Sequence, residues 1–238
     1  MRGLGFTALA LDVAAPPLQC YGRTARTGEG QSGPTQFPFV PFREREMPNP
    51  WDIPAFPARG DDDQDATYAG VGRVLSQWEM IEVELSHIYA WLMNRPDDME
   101  AVRRYGEGKG IFEERIKGLW VIADAYFRWN PHQETEGELC ALSNTIGKFA
   151  LRRNDVAHCI VRPFQWVVSP GLDGPLQFCA VPPHYAGKKF DPQDMPLFVF
   201  TSIELIALSN ALFGVTQDAQ KFKWRLMLGE DGVAPESS

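Results

Sequence analysis

The chain is short of the features by which most enzyme chemistries announce themselves. Its four cysteines, Cys20, Cys140, Cys159 and Cys179, contain no CxxC pair and no regular spacing. That sets aside a zinc ribbon and a disulfide-built scaffold, and leaves free thiols suited to a reducing compartment. The four histidines, His87, His132, His158 and His184, lack zinc-ligand spacing, so no metal is expected. There is no glycine-rich phosphate loop, no serine-hydrolase elbow and no internal repeat, and nothing calls for a cofactor. Long apolar runs are missing too: the N-terminal "GLGFTALALDVAA" is short and interrupted by Asp12, so a soluble, cytoplasmic protein without a membrane partner is expected. Positive charge is scarce. A net charge of -8 and a pI of about 5.1 exclude a broad basic surface, so any nucleic-acid contact has to be local.

What is present is a generous apolar complement, 44% of 238 residues, enough for one sizeable domain. The acidity is uneven: Asp61 to Glu100 holds ten acidic residues against Arg73 and Arg95, which accounts for the whole net charge and leaves room for basic clusters elsewhere. Residues 1–62 are rich in Pro and Gly ("GEGQSGPTQFPFVPF", "MPNPWDIPAFPARG") and show no periodicity able to bury a face, so an extended or disordered segment is expected. Two start positions, Met1 and Met47, are compatible with this.

From Asp65 the pattern becomes helical. Val71, Val74, Leu75, Trp78, Ile81, Leu85, Ile88 and Leu92 recur every three or four residues and predict a long first helix that ends before Pro96. After the connection "YGEGKG", Phe112, Ile116, Leu119, Trp120, Ala123 and Phe127 predict a second, stopped by Asn130-Pro131. A third, from about Glu134, turns Leu139, Leu142, Ile146, Phe149 and Ala150 inward. The period then switches: "CIVRPFQWVV" and "LQFCAV" around Pro170-Gly171 predict a hairpin, with Pro163 marking an edge strand and Cys159 offset from Cys179 along it. "PLFVF" is a candidate third strand. Thr201 and Glu204 have the form of a capping box ahead of a fourth helix through Leu226. The expected fold is mainly α: four main helices over residues 63–229, a β-hairpin or small sheet at about 159–200 between the third and fourth, and a flexible tail, 230–238.

The third helix runs straight into "LRRNDVAHC". Residues five apart on a helix lie about 140° around the axis and residues four apart about 40°, so Arg153, Asn154 and His158 project from one broad side. Arg153 shares a register with Phe149 and Ala150 at the edge of the core stripe, where a guanidinium is partly covered and held in place, as a phosphate clamp requires. His158 falls in the last turn, beside carbonyls that stabilise an imidazolium, and is suited to act as acid or base. Asn154 is placed to fix the ring or to bond a phosphate oxygen. The plainer account is an ordinary helix end, with Arg152 and Asp155 paired at i,i+3 and His158 as a cap.

Arg-Asn-x-x-x-His at the end of the third helix resembles the signature of HEPN domains, small helical bundles many of which are metal-independent RNA endonucleases acting as dimers. "VGRVLSQWEMIEVEL", "AVPPHYAGKK" and "FTSIEL" extend the resemblance to one bacterial group of HEPN-like proteins, over about residues 65–228. Cys159 departs from the glycine expected after the histidine, and no tyrosine stands two residues after His158. The resemblance implies a homodimer through the third-helix face and a pathway in stress response or defence. His158 would remove the 2′-hydroxyl proton of RNA and Arg153 would stabilise the phosphate, giving a 2′,3′-cyclic phosphate and a 5′-hydroxyl. The family also includes non-catalytic scaffolds, so a nucleotide- or RNA-binding or protein-interaction dimer module is the alternative.

Arg152, Arg162, His184 and Lys188 are candidates for supporting or substrate-binding roles, the last two flanking Tyr185 in a loop with stacking potential. Glu79 and Glu82, three apart on the first helix, have the form of a carboxylate pair. A solvated face, or pairing with arginines of the bundle, is the simpler account.

Overall fold

A computed structural model describes residues 49–54, 56–57, 59–107, 110–169, 172–191 and 196–228. Expectations for residues 1–48, including the Met47 start and Cys20, for the Pro170-Gly171 turn and for the tail 230–238 lie outside the described residues.

Helix α1, Gln64–Leu92, begins where the Asp63 carboxylate accepts the Asp65 amide at 2.9 Å and so satisfies one of the orphan donors of a helix start. It ends in Asn94, whose φ of 56° is a left-handed conformation that asparagine tolerates. A short helix that apolar periodicity does not announce, α2 (Met99–Arg104), follows, capped by Asp98 and finished by Arg103 and Arg104. Then come α3 (Phe112–Trp129) and α4 (Gln133–Ala157). Strands β1 (Ile160–Ser169) and β2 (Leu172–Val181) form an antiparallel pair. A 3-10 turn (Gly187–Lys189) leads to α5, Ser202–Leu228. The architecture is therefore mainly helical, with a small two-stranded sheet between α4 and α5, as the sequence predicts.

The core lies along α1, where Val74, Ile81, Leu85 and Ile88 are fully buried against residues of α3, α4 and α5. Helix α5 packs closest. A Cβ on Gly70 would stand 2.8 Å from the Leu205 Cβ, so glycine at this position is what lets the two helices approach. The capping box forms as expected, with the Thr201 amide donating to the Glu204 carboxylate at 2.7 Å. Polar groups across the α1–α5 seam are matched too: Glu84 accepts from Lys223 at 2.6 Å and from Gln220 at 2.9 Å.

The hairpin pairs Arg162 with Cys179 and Pro163 with Phe178, so Cys159 is offset from Cys179 as predicted. Phe178 exchanges both backbone hydrogen bonds with Asp61, at 2.7 and 2.8 Å. Its N–H and C=O therefore face away from β1, and the missing N–H of Pro163 goes unmissed in a non-hydrogen-bonded pair. The irregularities fall further along, at Gln165–Val167 and Val167–Ser169, rather than at the proline. "PLFVF" is not a third strand. It contributes two isolated bridges, Phe190 to Pro196 and Phe200 to Ala180, because Thr201 turns at once into the α5 cap.

Residues 49–61 keep the irregular backbone expected of this stretch. They hold no helix or strand among the described positions, yet they are tied to the domain. Trp51 meets Phe149 edge-on at 5.6 Å, and Lys148 lies 4.5 Å from the Trp51 ring. The Gly60 amide donates to Gln177 at 3.0 Å. Asp61 accepts from the Thr67 hydroxyl at 2.6 Å and from the amide and hydroxyl of Ser202 at 2.7 Å each. The lack of periodicity in this stretch hid its anchors, among them the Trp51 indole and the Asp61 carboxylate.

Candidate functional site

The end of α4 faces a groove of about 770 Å³ whose walls come from α1, the end of α2, the start of α3, and α4 itself. Arg153, Asn154 and His158 all line it, so three residues predicted to share a side do share a space. The 3.6-residue repeat explains this: with Ala150 and Phe149 inward, these three follow on the adjacent arc.

The floor of the groove is a closed polar network centred on Glu82. This carboxylate is 8% exposed and accepts from Arg115 through Nη2 at 2.6 Å and Nε at 3.1 Å. It also accepts from the Tyr105 hydroxyl at 2.9 Å and the Trp78 indole at 3.2 Å. Four donors on one buried carboxylate satisfy the charge that burial would otherwise make costly. Burial, reinforced by Glu82, raises the Tyr105 phenol far above its ordinary range, so it stays protonated and donates. The hydrogen bonds Arg115 donates to Glu82 raise Arg115 as well, against the opposing effect of burial. Sequence reasoning missed Tyr105 and Arg115. The only signal was Glu82 itself, for which pairing with arginines of the bundle proves to be the right account.

The rim is looser. Arg153 lies over the Trp78 ring at 5.8 Å, which covers its stem and holds the fork in place. One of its terminal nitrogens stands 3.6 Å from Glu79, and the other donates to the Asn154 side-chain oxygen at 3.2 Å. Its Nε is buried without a hydrogen-bond partner, which is a cost the fold leaves standing. Asn154 therefore orients Arg153 rather than the imidazole, contrary to one of its two expected roles. His158 is exposed and is the residue that ends α4. Its ring makes no hydrogen bond among the described residues, so it is open to a ligand. Three carboxylates (Glu79, Glu82, Glu113) face three guanidiniums (Arg103, Arg115, Arg153) in the groove. With charge balanced overall, anion affinity depends on which pairs can be opened.

The supporting candidates lie elsewhere. Arg152, expected beside Arg153 in a supporting or substrate-binding role, is turned out of the groove: about 100° of helix rotation separates the two. It meets Asp155 at 2.6 Å, and Lys189 reaches the other oxygen of Asp155 at 2.5 Å. Asp155 is 3% exposed, so this i,i+3 pair is buried rather than solvated. Arg152 Nε and Nη1 form no aligned hydrogen bond, which makes the close contact to Asp155 ionic in character. Arg162 and His184 contact one another at 2.7 Å at the base of the hairpin, and Lys188 is exposed in the 3-10 turn. None of the three lines the groove.

Cys159, where the resembled family has glycine, packs partly buried against the core. Burial pushes its thiol up to about 11 and that of Cys179 up to about 12, so both are protonated and poorly nucleophilic. Among the described residues no group of His, Cys, Asp and Glu side chains converges as a metal ion would require, and no helix is long and apolar enough to cross a membrane. Compared in turn with models of protein families, with curated proteins and with solved structures, the chain matches none.

Proposed function

We propose that the groove is the site of a metal-independent endoribonuclease of HEPN type, in a cytoplasmic protein that acts in stress response or defence. The observation that carries this reading is the convergence of Arg153, Asn154 and His158 on one groove of nucleotide-sized volume. His158, open to solvent, serves as general acid or base on the RNA 2′-hydroxyl or on the leaving 5′-oxygen. Arg153, held over Trp78 and steered by Asn154, meets the phosphate as negative charge develops. A homodimer through the α4 face supplies a second His158 for the second proton transfer. Leu151, 58% exposed one turn before Asp155, gives that face an apolar contact.

One observation favours the alternative, a non-catalytic binding or interaction module: Arg153 already has a carboxylate beside it in Glu79, and the groove has no positive surplus. The two readings separate in one experiment. Purified protein is incubated with unstructured RNA in EDTA, beside Arg153→Ala and His158→Ala variants of checked stability and oligomeric state. Cleavage to 2′,3′-cyclic phosphate ends, falling by roughly 10²–10⁴ in His158→Ala and by a similar factor in Arg153→Ala, is the expected result. RNA or nucleotide bound but not cut by the parent protein would instead support the binding module.

A further inference from the structure

Outside the groove, the base of the hairpin gathers cationic groups without a counter-ion. Arg162, on β1, has no carboxylate within ion-pair distance among the described residues. Its Nη1 instead donates to His184 Nε2 at 2.7 Å. A guanidinium cannot accept, so this contact requires His184 Nε2 to be bare. Both groups are braced by aromatic rings: the Arg162 guanidinium lies 5.6 Å over Phe164, and the His184 ring stacks on Phe190 at 5.4 Å and 15°. Lys188 is exposed in the adjoining turn, and Tyr185, 88% exposed, stands next to His184.

The position of this cluster is fixed by Lys189, which reaches Asp155 at 2.5 Å. On α4, Asp155 and His158 are three residues apart, about 60° around the axis. The turn that carries Lys188 therefore lies against the flank of α4 next to His158, on the side away from Arg153.

We propose that Arg162, His184 and Lys188 form a second phosphate-binding site, beside the His158 edge of the groove, that holds the backbone of single-stranded RNA, with Tyr185 as a stacking surface for a base. A phosphate oxygen takes the place of His184 at Arg162, exchanging a neutral acceptor for an anionic one and forming charge-assisted hydrogen bonds. A free aromatic face beside a phosphate contact favours a splayed, unpaired strand over a duplex, whose bases are stacked on each other. This confines positive charge to the path of the strand and accounts for RNA recognition by a protein of net charge -8. The proposal rests on reading the groove as an RNA site.

The test uses the full chain and a fluorescent single-stranded 2′-O-methyl RNA, which has no 2′-hydroxyl to attack, so binding is measured apart from cleavage. Fluorescence anisotropy is recorded over a salt series for the parent and for Arg162→Gln, Lys188→Ala and, as a distant control, Arg128→Gln. Lys188 is solvent-exposed, so its variant keeps the test informative if Arg162→Gln unfolds. The expected result is a Kd about tenfold higher for Arg162→Gln, a smaller rise for Lys188→Ala, a salt slope reduced by about 0.7 in each, and no change for Arg128→Gln. Parent-like binding by both Arg162→Gln and Lys188→Ala overturns the proposal even if the parent cleaves unmodified RNA, and so does equal weakening by Arg128→Gln. A parent that binds through Arg162 but cuts no RNA removes the nuclease reading and leaves this site standing. A parent that binds no RNA overturns both.

Discussion

The two faces of α1 treat polar groups in opposite ways. Toward α5, Glu84 is buried and saturated by Lys223 and Gln220, Gln77 donates to Thr216 at 2.8 Å, and Gly70 brings the backbone against Leu205. Toward α4, Glu79 is exposed, its approach to Arg153 is a loose 3.6 Å, and Arg153 keeps a buried nitrogen without a partner. A helix that settles its charges toward α5 and in the Glu82 network, and leaves only the Glu79–Arg153 pair loose at the rim, separates what holds the fold from what is free to meet a ligand. This contrast, more than the motif alone, is why the groove is the better place to look for chemistry.

Three substitutions sharpen or break the contrast. Glu84→Ala has the largest expected effect. It strands the Lys223 ammonium, whose side chain is 18% exposed, and costs about 3 kcal/mol, as breaking a buried pair does. Urea unfolding midpoints measure it, and a loss near zero would mean that the seam is no tighter than the groove. Gly70→Ala comes next. The new methyl meets Leu205 at 2.8–2.9 Å, and overpacking of about 1–3 kcal/mol exceeds the gain of roughly 1 kcal/mol in helix propensity. A variant that unfolds at higher temperature than the parent would show that α1 and α5 have slack.

Glu79→Gln has the smallest effect on stability, within about 0.5 kcal/mol, and acts in the opposite direction on binding. Freeing Arg153 from a partly exposed pair worth at most about 1 kcal/mol raises RNA affinity by no more than about fivefold, read by the same anisotropy titration. Weaker binding in Glu79→Gln would show that the carboxylate positions Arg153 rather than competing for it.

The long helices are legible in the sequence because each has an apolar stripe at the right period and a named stop, such as Pro96 or Asn130-Pro131. Helix α2 is not legible. Its six residues, Met99–Arg104, are held by a cap and end charges, and only Ala101 among them is buried. The sharing of one groove by Arg153, Asn154 and His158 follows from helical geometry alone. What lay beyond the sequence is which neighbour each side chain chooses across the bundle. Arg152 and Arg153 are adjacent and chemically identical, yet one meets Asp155, which Lys189 also reaches, and the other lines the groove. The Glu82 network is similarly assembled from residues 23 and 33 positions away, a distance at which spacing carries no signal.

Asp61 links residues that the ribosome makes far apart in time. Its carboxylate bonds Ser202, 141 positions later, and its backbone pairs with Phe178, while α1 is synthesised directly after it. Closing so long a loop is entropically expensive and contributes to slow folding. The segment before α1 therefore waits unlatched until β2 and the start of α5 have been made. The Trp51 ring likewise waits for Phe149, which is made with α4.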